Sequence, residues 1–223
     1  MLHTDMGRYL PVESQAERAI AAASRGHCTA FAVLGDGVGQ RMQAESHLEL
    51  CHLLLLNANR QIVHLWEQAR FAYGGGDERL HVFDVVATWA SGERIAYTIK
   101  PEARLRSGRF LAEMQEIAWW VRERVFADDI RLLTEQDVDP IALHNARIVA
   151  AVREPDPDSD TVARETAGAL TGAVTLRELT EATGLEARGY RALLRLVRSG
   201  DLRPVRHERL TPRSLVLWNG AIQ

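Results

Sequence analysis

The sequence predicts an α/β protein in two parts, a mixed sheet flanked by helices followed by a small module of helix, turn, helix and hairpin. Three observations carry this reading. Between residues 12 and 134, short strand patterns alternate with stretches of helical periodicity. The run Arg153-Glu154-Pro155-Asp156-Pro157-Asp158-Ser159-Asp160 joins two prolines to four acids, a composition that buries little apolar surface, so a linker is expected there. Charge is also divided unevenly: the net value is −3, yet residues 171–223 hold nine arginines against five acids, which leaves −7 on the remainder. The expected domains are therefore 1–152, a linker with a first tail helix over 153–170, and 171–223.

The first part is read element by element. Residues 12–24 are expected as a helix, and 29–34 and 38–43 as strands joined by Gly35-Asp36-Gly37, whose glycines supply the positive φ of a hairpin. Residues 45–57 form a helix, since Leu48, Cys51 and Leu55 recur at helical spacing. A short strand over 62–67 precedes the turn Gly74-Gly75-Gly76. Strands over 80–89 and 94–100 flank a hairpin turn at Ala90-Ser91-Gly92-Glu93; a helix over 109–125 and a strand over 130–134 follow. In the tail, Thr175 and Glu178 have the spacing of a capping box, Thr183-Gly184-Leu185 is a turn, and 186–199 is a helix ended by Gly200. Strands over 202–205 and 214–218 complete the order of a winged-helix module.

No apolar run approaches the roughly 20 residues of a membrane span. No basic segment leads into an apolar one at the N-terminus, and two cysteines, Cys28 and Cys51, make no disulfide framework. A cytoplasmic protein without membrane contact is expected. The acidic body suits a divalent cation, and the basic tail suits a polyanion.

Phosphodiester hydrolysis calls for a divalent metal held by hard oxygens, with a lysine near the phosphate. Glu49 on the helix over 45–57, Asp84 on the strand over 80–89 and Lys100 at the end of the next strand form such a set. The hairpin between the two strands is expected to bring Asp84 and Lys100 to one end of the sheet. Glu45, one turn before Glu49, is a second candidate for the helical carboxylate.

In order and spacing, the motifs Ser46-His47-Leu48-Glu49-Leu50, Val63-His64-Leu65-Trp66-Glu67-Gln68, Val82-Phe83-Asp84-Val85 and Thr98-Ile99-Lys100-Pro101 resemble those of the TnsA endonucleases of heteromeric transposases. The resemblance implies a restriction-endonuclease-like domain of the PD-(D/E)xK type with a C-terminal winged helix. It implies Mg2+, or Mn2+, held by Glu49, Asp84 and the carbonyl of Ile99, with Thr98 and Lys100 completing the catalytic set. It implies nicking of one strand of double-stranded DNA at transposon ends, beside an integrase-type transposase subunit and an AAA+ ATPase regulator. One position departs from the family: Thr98 stands where the family has Gln or Glu, so metal binding is expected to be weak and Thr98→Glu to strengthen it. Two other readings stay open, a weakened or inactive homologue kept as a DNA-binding scaffold, and a winged-helix regulator.

The tail's candidate DNA contacts are Arg188, Arg191, Arg195 and Arg198, which share a helix face, and Arg203, Arg206 and Arg209 on the wing. A protein-docking surface accounts for the same arginines equally well. Three other signals are set aside. Gly35-Asp36-Gly37-Val38-Gly39 lacks the Lys-Ser/Thr of a phosphate loop, His47, Cys51 and His52 have no second ligand cluster, and Trp119-Trp120 falls at core spacing with Ile117 and Val121.

Overall fold

The computed structural model describes residues 10–18, 29–106 and 108–220. It divides into two units, Met1–Val138 and Asp139–Gln223.

In the first unit, β1 (Ala30–Leu34) and β2 (Gln40–Ala44) form a hairpin whose turn takes positive φ at Gly35 and Gly37. Helix α1 (His47–Ala58) follows. A four-stranded mixed sheet is then built from β3 (Ile62–Tyr73), β4 (Arg79–Trp89), β5 (Arg94–Ile99) and β6 (Asp129–Leu133), in that spatial order. The first three strands are antiparallel neighbours, and β6 runs parallel to β5 after the crossover through α2 (Arg109–Glu123). Met114, Ile117 and Val121 form the buried stripe of α2 and pack on Phe71, Phe83, Val86 and Ala96 of the sheet. Trp120 packs against the same cluster, whereas Trp119 is exposed.

Alternation along β3 and β4 breaks at one level, and this break positions the site. Trp66 and Ala69 both face the α2 cluster, so Glu67 and Gln68 between them do not. Phe83 and Val86 likewise face it, so Asp84 and Val85 do not. The register pairs Glu67 with Val85 and Ala69 with Phe83, which sets Gln68 opposite Asp84. Gln68 has a φ of +50°. A left-handed non-glycine residue costs roughly 1–2 kcal/mol, so its surroundings must hold it there. The break also explains why the sequence reading ended β3 early: the polar pair Glu67-Gln68 interrupts the apolar pattern, but Phe71 and Tyr73 beyond it are buried.

The expected helix over 12–24 is not formed in its described part. Val12 forms a single bridge to Gln40, residues 13–16 have no regular structure, 17 and 18 are in a bend, and 19–24 lie outside the described residues. Val12 is held to the second hairpin strand by Val12 N–H to Gly39 O at 2.8 Å and Arg41 N–H to Val12 O at 2.9 Å. Trp66 Nε1 donates to Gln15 O at 3.1 Å, and the Arg70 N–H donates to Glu17 at 2.7 Å. The segment thus caps one main-chain N–H and one indole of an edge strand.

In the second unit, α3 (Pro140–Ala151), α4 (Pro157–Gly168), α5 (Leu176–Thr183) and α6 (Glu186–Ser199) pack beside a three-stranded antiparallel sheet. The sheet order is β7 (Val174–Thr175), β9 (Leu215–Trp218), β8 (Leu202–Pro204). Ala163 and Ala167 of α4, Leu176 and Leu179 of α5, Leu193 of α6 and Val216 of β9 form the core. Thr175 and Glu178 make the expected reciprocal capping box, and Gly200 ends α6 with φ +78°. Among the described residues no helix of either unit is long and apolar enough to cross a membrane.

The division falls at Val138/Asp139 rather than in the expected linker over 153–160. That stretch instead opens α4. Asp156 caps the helix, Pro157 takes the first turn, where the missing N–H is harmless, and Asp158 and Asp160 suit the positive helix end. Its acids are also ion-pair partners for α6. Arg188 donates two hydrogen bonds to Asp156, at 2.9 and 2.8 Å, and Arg195 donates to Asp160 at 2.6 Å and to Ser159 Oγ at 3.2 Å. The Arg195 side chain is only 12% exposed. Asp160→Ala should therefore lower the unfolding free energy by roughly 2 kcal/mol, because it strands an enclosed guanidinium. Glu154→Ala, from the same stretch but exposed, should leave it unchanged. A urea titration of both variants separates this packed helix from a linker, for which neither change matters.

Candidate functional site

Helix α1 opens with Ser46 as its cap, and the cap fixes Glu49. The Glu49 N–H donates to Ser46 Oγ at 3.1 Å, Ser46 Oγ donates to Glu49 Oε1 at 3.0 Å, and the Glu45 N–H donates to Oε2 at 2.7 Å. The carboxylate is thus oriented by its own helix start and is 6% exposed. Asp84, from the break in β4, is 5% exposed. Its Oδ2 accepts the Ile99 N–H at 2.7 Å and the Lys100 ammonium at 3.2 Å. Lys100 is anchored by its own N–H to Leu133 O at 3.0 Å, and its side chain remains 35% exposed.

Burial raises the pKa of both carboxyls. For Glu49 the Asp84 charge adds to burial, and for Asp84 the Lys100 charge, the Ile99 N–H and the Arg18 charge oppose it. Glu49, Asp84 and Lys100 therefore lie in mutual electrostatic reach at one end of β5, as the sequence predicts. Ile99 ends β5 with its N–H bonded to Asp84, which sets that peptide at the edge of the cluster.

Thr98 bonds a histidine rather than either site carboxyl. Ala96 belongs to the α2 cluster, and Thr98, two residues on, shares that face of β5. Its hydroxyl meets His81 Nε2 at 3.1 Å, and the His81 ring stands edge-on to Phe83 of the same cluster at 4.7 Å. Among the described residues no hydrogen bond joins Thr98 to Glu49, Asp84 or Lys100. Burial, with the Lys100 charge beside it, lowers the His81 pKa to about 4, so the ring is neutral at pH 7. Thr98 is fully buried. The hydroxyl is thus engaged by His81, on which the Lys100 charge also acts.

Four polar side chains join the neighbourhood that the sequence reading gave no role. Arg18 Nε and Nη2 donate to Gln68 Oε1 at 3.1 and 2.7 Å, and Arg18 also forms an ion pair with Glu45. Ser14 Oγ donates to Glu67. Glu67 and Gln68 are fully buried, and neither Glu67 Oε2 nor Gln68 Nε2 has a hydrogen-bond partner among the described residues. Arg18 was hidden inside an expected helix. Glu67-Gln68 was visible only as a strand motif.

Among the described residues no group of three or more His, Cys, Asp and Glu side chains is arranged to hold a metal ion. The donors present are nevertheless hard oxygens from two carboxylates, the class that Mg2+ and Mn2+ take. The residues fit a hard divalent cation held by few protein ligands and water.

Of the tail's candidate contacts, Arg188 and Arg195 are bound to acids of α4, and Arg198 is half-buried. Arg191, Arg203, Arg206 and Arg209 are exposed and have no ion pair among the described residues. No family model and no curated protein matches the chain.

The raised carboxyl pKa values fix the sign of a stability effect. A group whose folded pKa is raised stabilises the fold below its ordinary range and loses that contribution as pH rises through the folded value. Ionising Asp84 therefore weakens the fold as pH rises through its raised folded value. Asp84→Asn keeps an acceptor for the Ile99 N–H and removes the charge. In chelator at pH 7 it should raise the unfolding free energy by about 1 kcal/mol, read from denaturant curves. A fall instead would mean that the Lys100 pair outweighs desolvation.

Proposed function

We propose that this chain is a metal-dependent DNA endonuclease. In this reading the first unit is a restriction-endonuclease-like domain and the second ends in a winged helix, and the chain works as the TnsA-like subunit of a cut-and-paste transposase. It would nick one strand at each transposon end, beside an integrase-type transposase and an AAA+ ATPase regulator. The observation that carries the reading is the meeting of Glu49, Asp84 and Lys100, drawn from a helix and two strands, in one buried cluster.

A bound Mg2+ or Mn2+ supplies the Lewis acidity that phosphodiester hydrolysis requires. Glu49 and Asp84 would hold it, with the peptide at Ile99 beside them. The chain's own contribution is preorganisation. Ser46 and the Glu45 N–H keep Glu49 in one orientation, and the Ile99 N–H does the same for Asp84. Lys100 keeps its ammonium partly open to solvent, where it can stabilise negative charge developing on a phosphoryl oxygen. His81, neutral and bonded to Thr98, adds no competing charge.

The test is nicking of supercoiled plasmid in Mn2+, with and without the partner transposase. Lys100→Ala and Asp84→Ala should each lower the rate about 100-fold or more, the usual loss of a charge-stabilising group at a reacting centre. Robust cleavage that survives Asp84→Ala sinks the reading. Wild-type DNA binding with no cleavage under either condition favours the inactive scaffold.

The exposed arginines make a separate forecast. Replacing Arg203, Arg206 and Arg209 together by alanine should weaken binding to duplex DNA and reduce the slope of log affinity against log salt by about 3, close to one per lost phosphate contact. Arg188→Ala with Arg195→Ala should instead lower the stability of the second unit. An unchanged slope in the first variant would assign the wing to a protein partner.

A further inference from the structure

With the short Thr98 hydroxyl engaged by His81, Glu49 and Asp84 lack a third side-chain oxygen from β5. The neighbouring strand offers one. Gln68 lies across the ladder from Asp84, on the side of the sheet away from α2. It is held in a left-handed backbone conformation and is fully buried. Only its oxygen is engaged: Oε1 takes two N–H groups of Arg18, while Nε2 has no partner among the described residues. Only an amide oxygen can face a guanidinium, so this orientation is set by the partner. A glutamine kept for structural reasons would use both ends of its amide, since each unmet buried group is unfavourable.

Arg18 identifies what that oxygen is suited to. Its guanidinium bonds Gln68 Oε1, pairs with Glu45, and acts on the buried Asp84 charge. A cation therefore already stands between the oxygens of Gln68 and Glu45, within electrostatic reach of Asp84. We propose that Gln68 Oε1 is a ligand oxygen of the divalent cation held by Glu49 and Asp84, in place of residue 98, and that Arg18 competes with that cation for it. This rests on reading Glu49 and Asp84 as cation ligands. It moves the third oxygen from β5 to β3, and it gives the strained backbone at 68 a purpose: alternation breaks there so that the side chain shares a face with Asp84.

The test reads the cation directly. Mn2+ affinity is measured by titration calorimetry on the whole chain, and bound water is counted from Eu3+ luminescence lifetimes in H2O and D2O. Gln68→Ala should weaken Mn2+ binding about tenfold or more and add one water to bound Eu3+. Thr98→Ala should do neither. Arg18→Ala should tighten Mn2+ binding several-fold by removing the competitor. Circular dichroism reports whether each variant folds. Should Gln68→Ala not fold, Gln68→Glu keeps the oxygen and adds charge, and it must bind Mn2+ more tightly than wild type. Wild-type affinity and hydration in folded Gln68→Ala overturn the proposal, as does an equal loss in Thr98→Ala or weaker binding by Gln68→Glu. If wild type nicks DNA while Mn2+ binding ignores Gln68, this proposal alone fails. Gln68-dependent binding without nicking defeats the nuclease reading alone. No Mn2+ binding by wild type defeats both.

Discussion

Two carboxylates buried side by side set the terms for the first unit. An ionised carboxyl removed from water is unfavourable unless hydrogen bonds and opposite charges replace its hydration. The fold supplies these from three directions. The start of α1 gives Glu49 a hydroxyl and an N–H, and the end of β5 gives Asp84 an N–H and the Lys100 ammonium. The N-terminal segment adds Arg18. These donors reduce the burden without removing it, since both carboxyls remain shifted toward the protonated form. Apposed anions held under such tension are a usual mark of a functional site.

The second constraint is geometric. A strand shows successive side chains to opposite faces, so a regular β3 and β4 could not present Glu67, Gln68, Asp84 and Val85 away from α2 while keeping Phe71 and Phe83 beneath it. One break in alternation, at matched levels of both strands, resolves the conflict. It yields an apolar layer under α2 and a polar cluster away from it, from one sheet only four strands wide. Thr98 sits where the two meet, bonded to His81, whose ring stands against Phe83 and feels the Lys100 charge.

Local chemistry was legible in the sequence, and long-range satisfaction of polar groups was not. The hairpin at Gly35 and Gly37, the capping box of Thr175 and Glu178 and the strand pair around Asp84 and Lys100 each follow from residues close in the chain, and each was found where expected. The meeting of Glu49 with that pair needed only the motif order. The segment over residues 12–18 was misread because its partners are fifty or so residues away on an edge strand. The acids around Asp156 have the composition of a linker, and their counter-charges, Arg188 and Arg195, lie two helices further on. Asp156-Pro157 is in fact a good helix start, and composition alone concealed it. The break at Gln68 has no signature in a single sequence, since nothing about glutamine favours a left-handed backbone.

The N-terminal segment ties two properties together that are usually separate. Residues 14–17 bond the Glu67 carboxylate, the Trp66 indole and the Arg70 N–H of β3, and the next residue, Arg18, reaches Gln68 and Glu45. A peptide added to this sheet beside β3 would compete with Glu17 for the Arg70 N–H, one residue before Arg18. Strand addition at the sheet margin would therefore bear on the charge balance around Asp84 through chain connectivity.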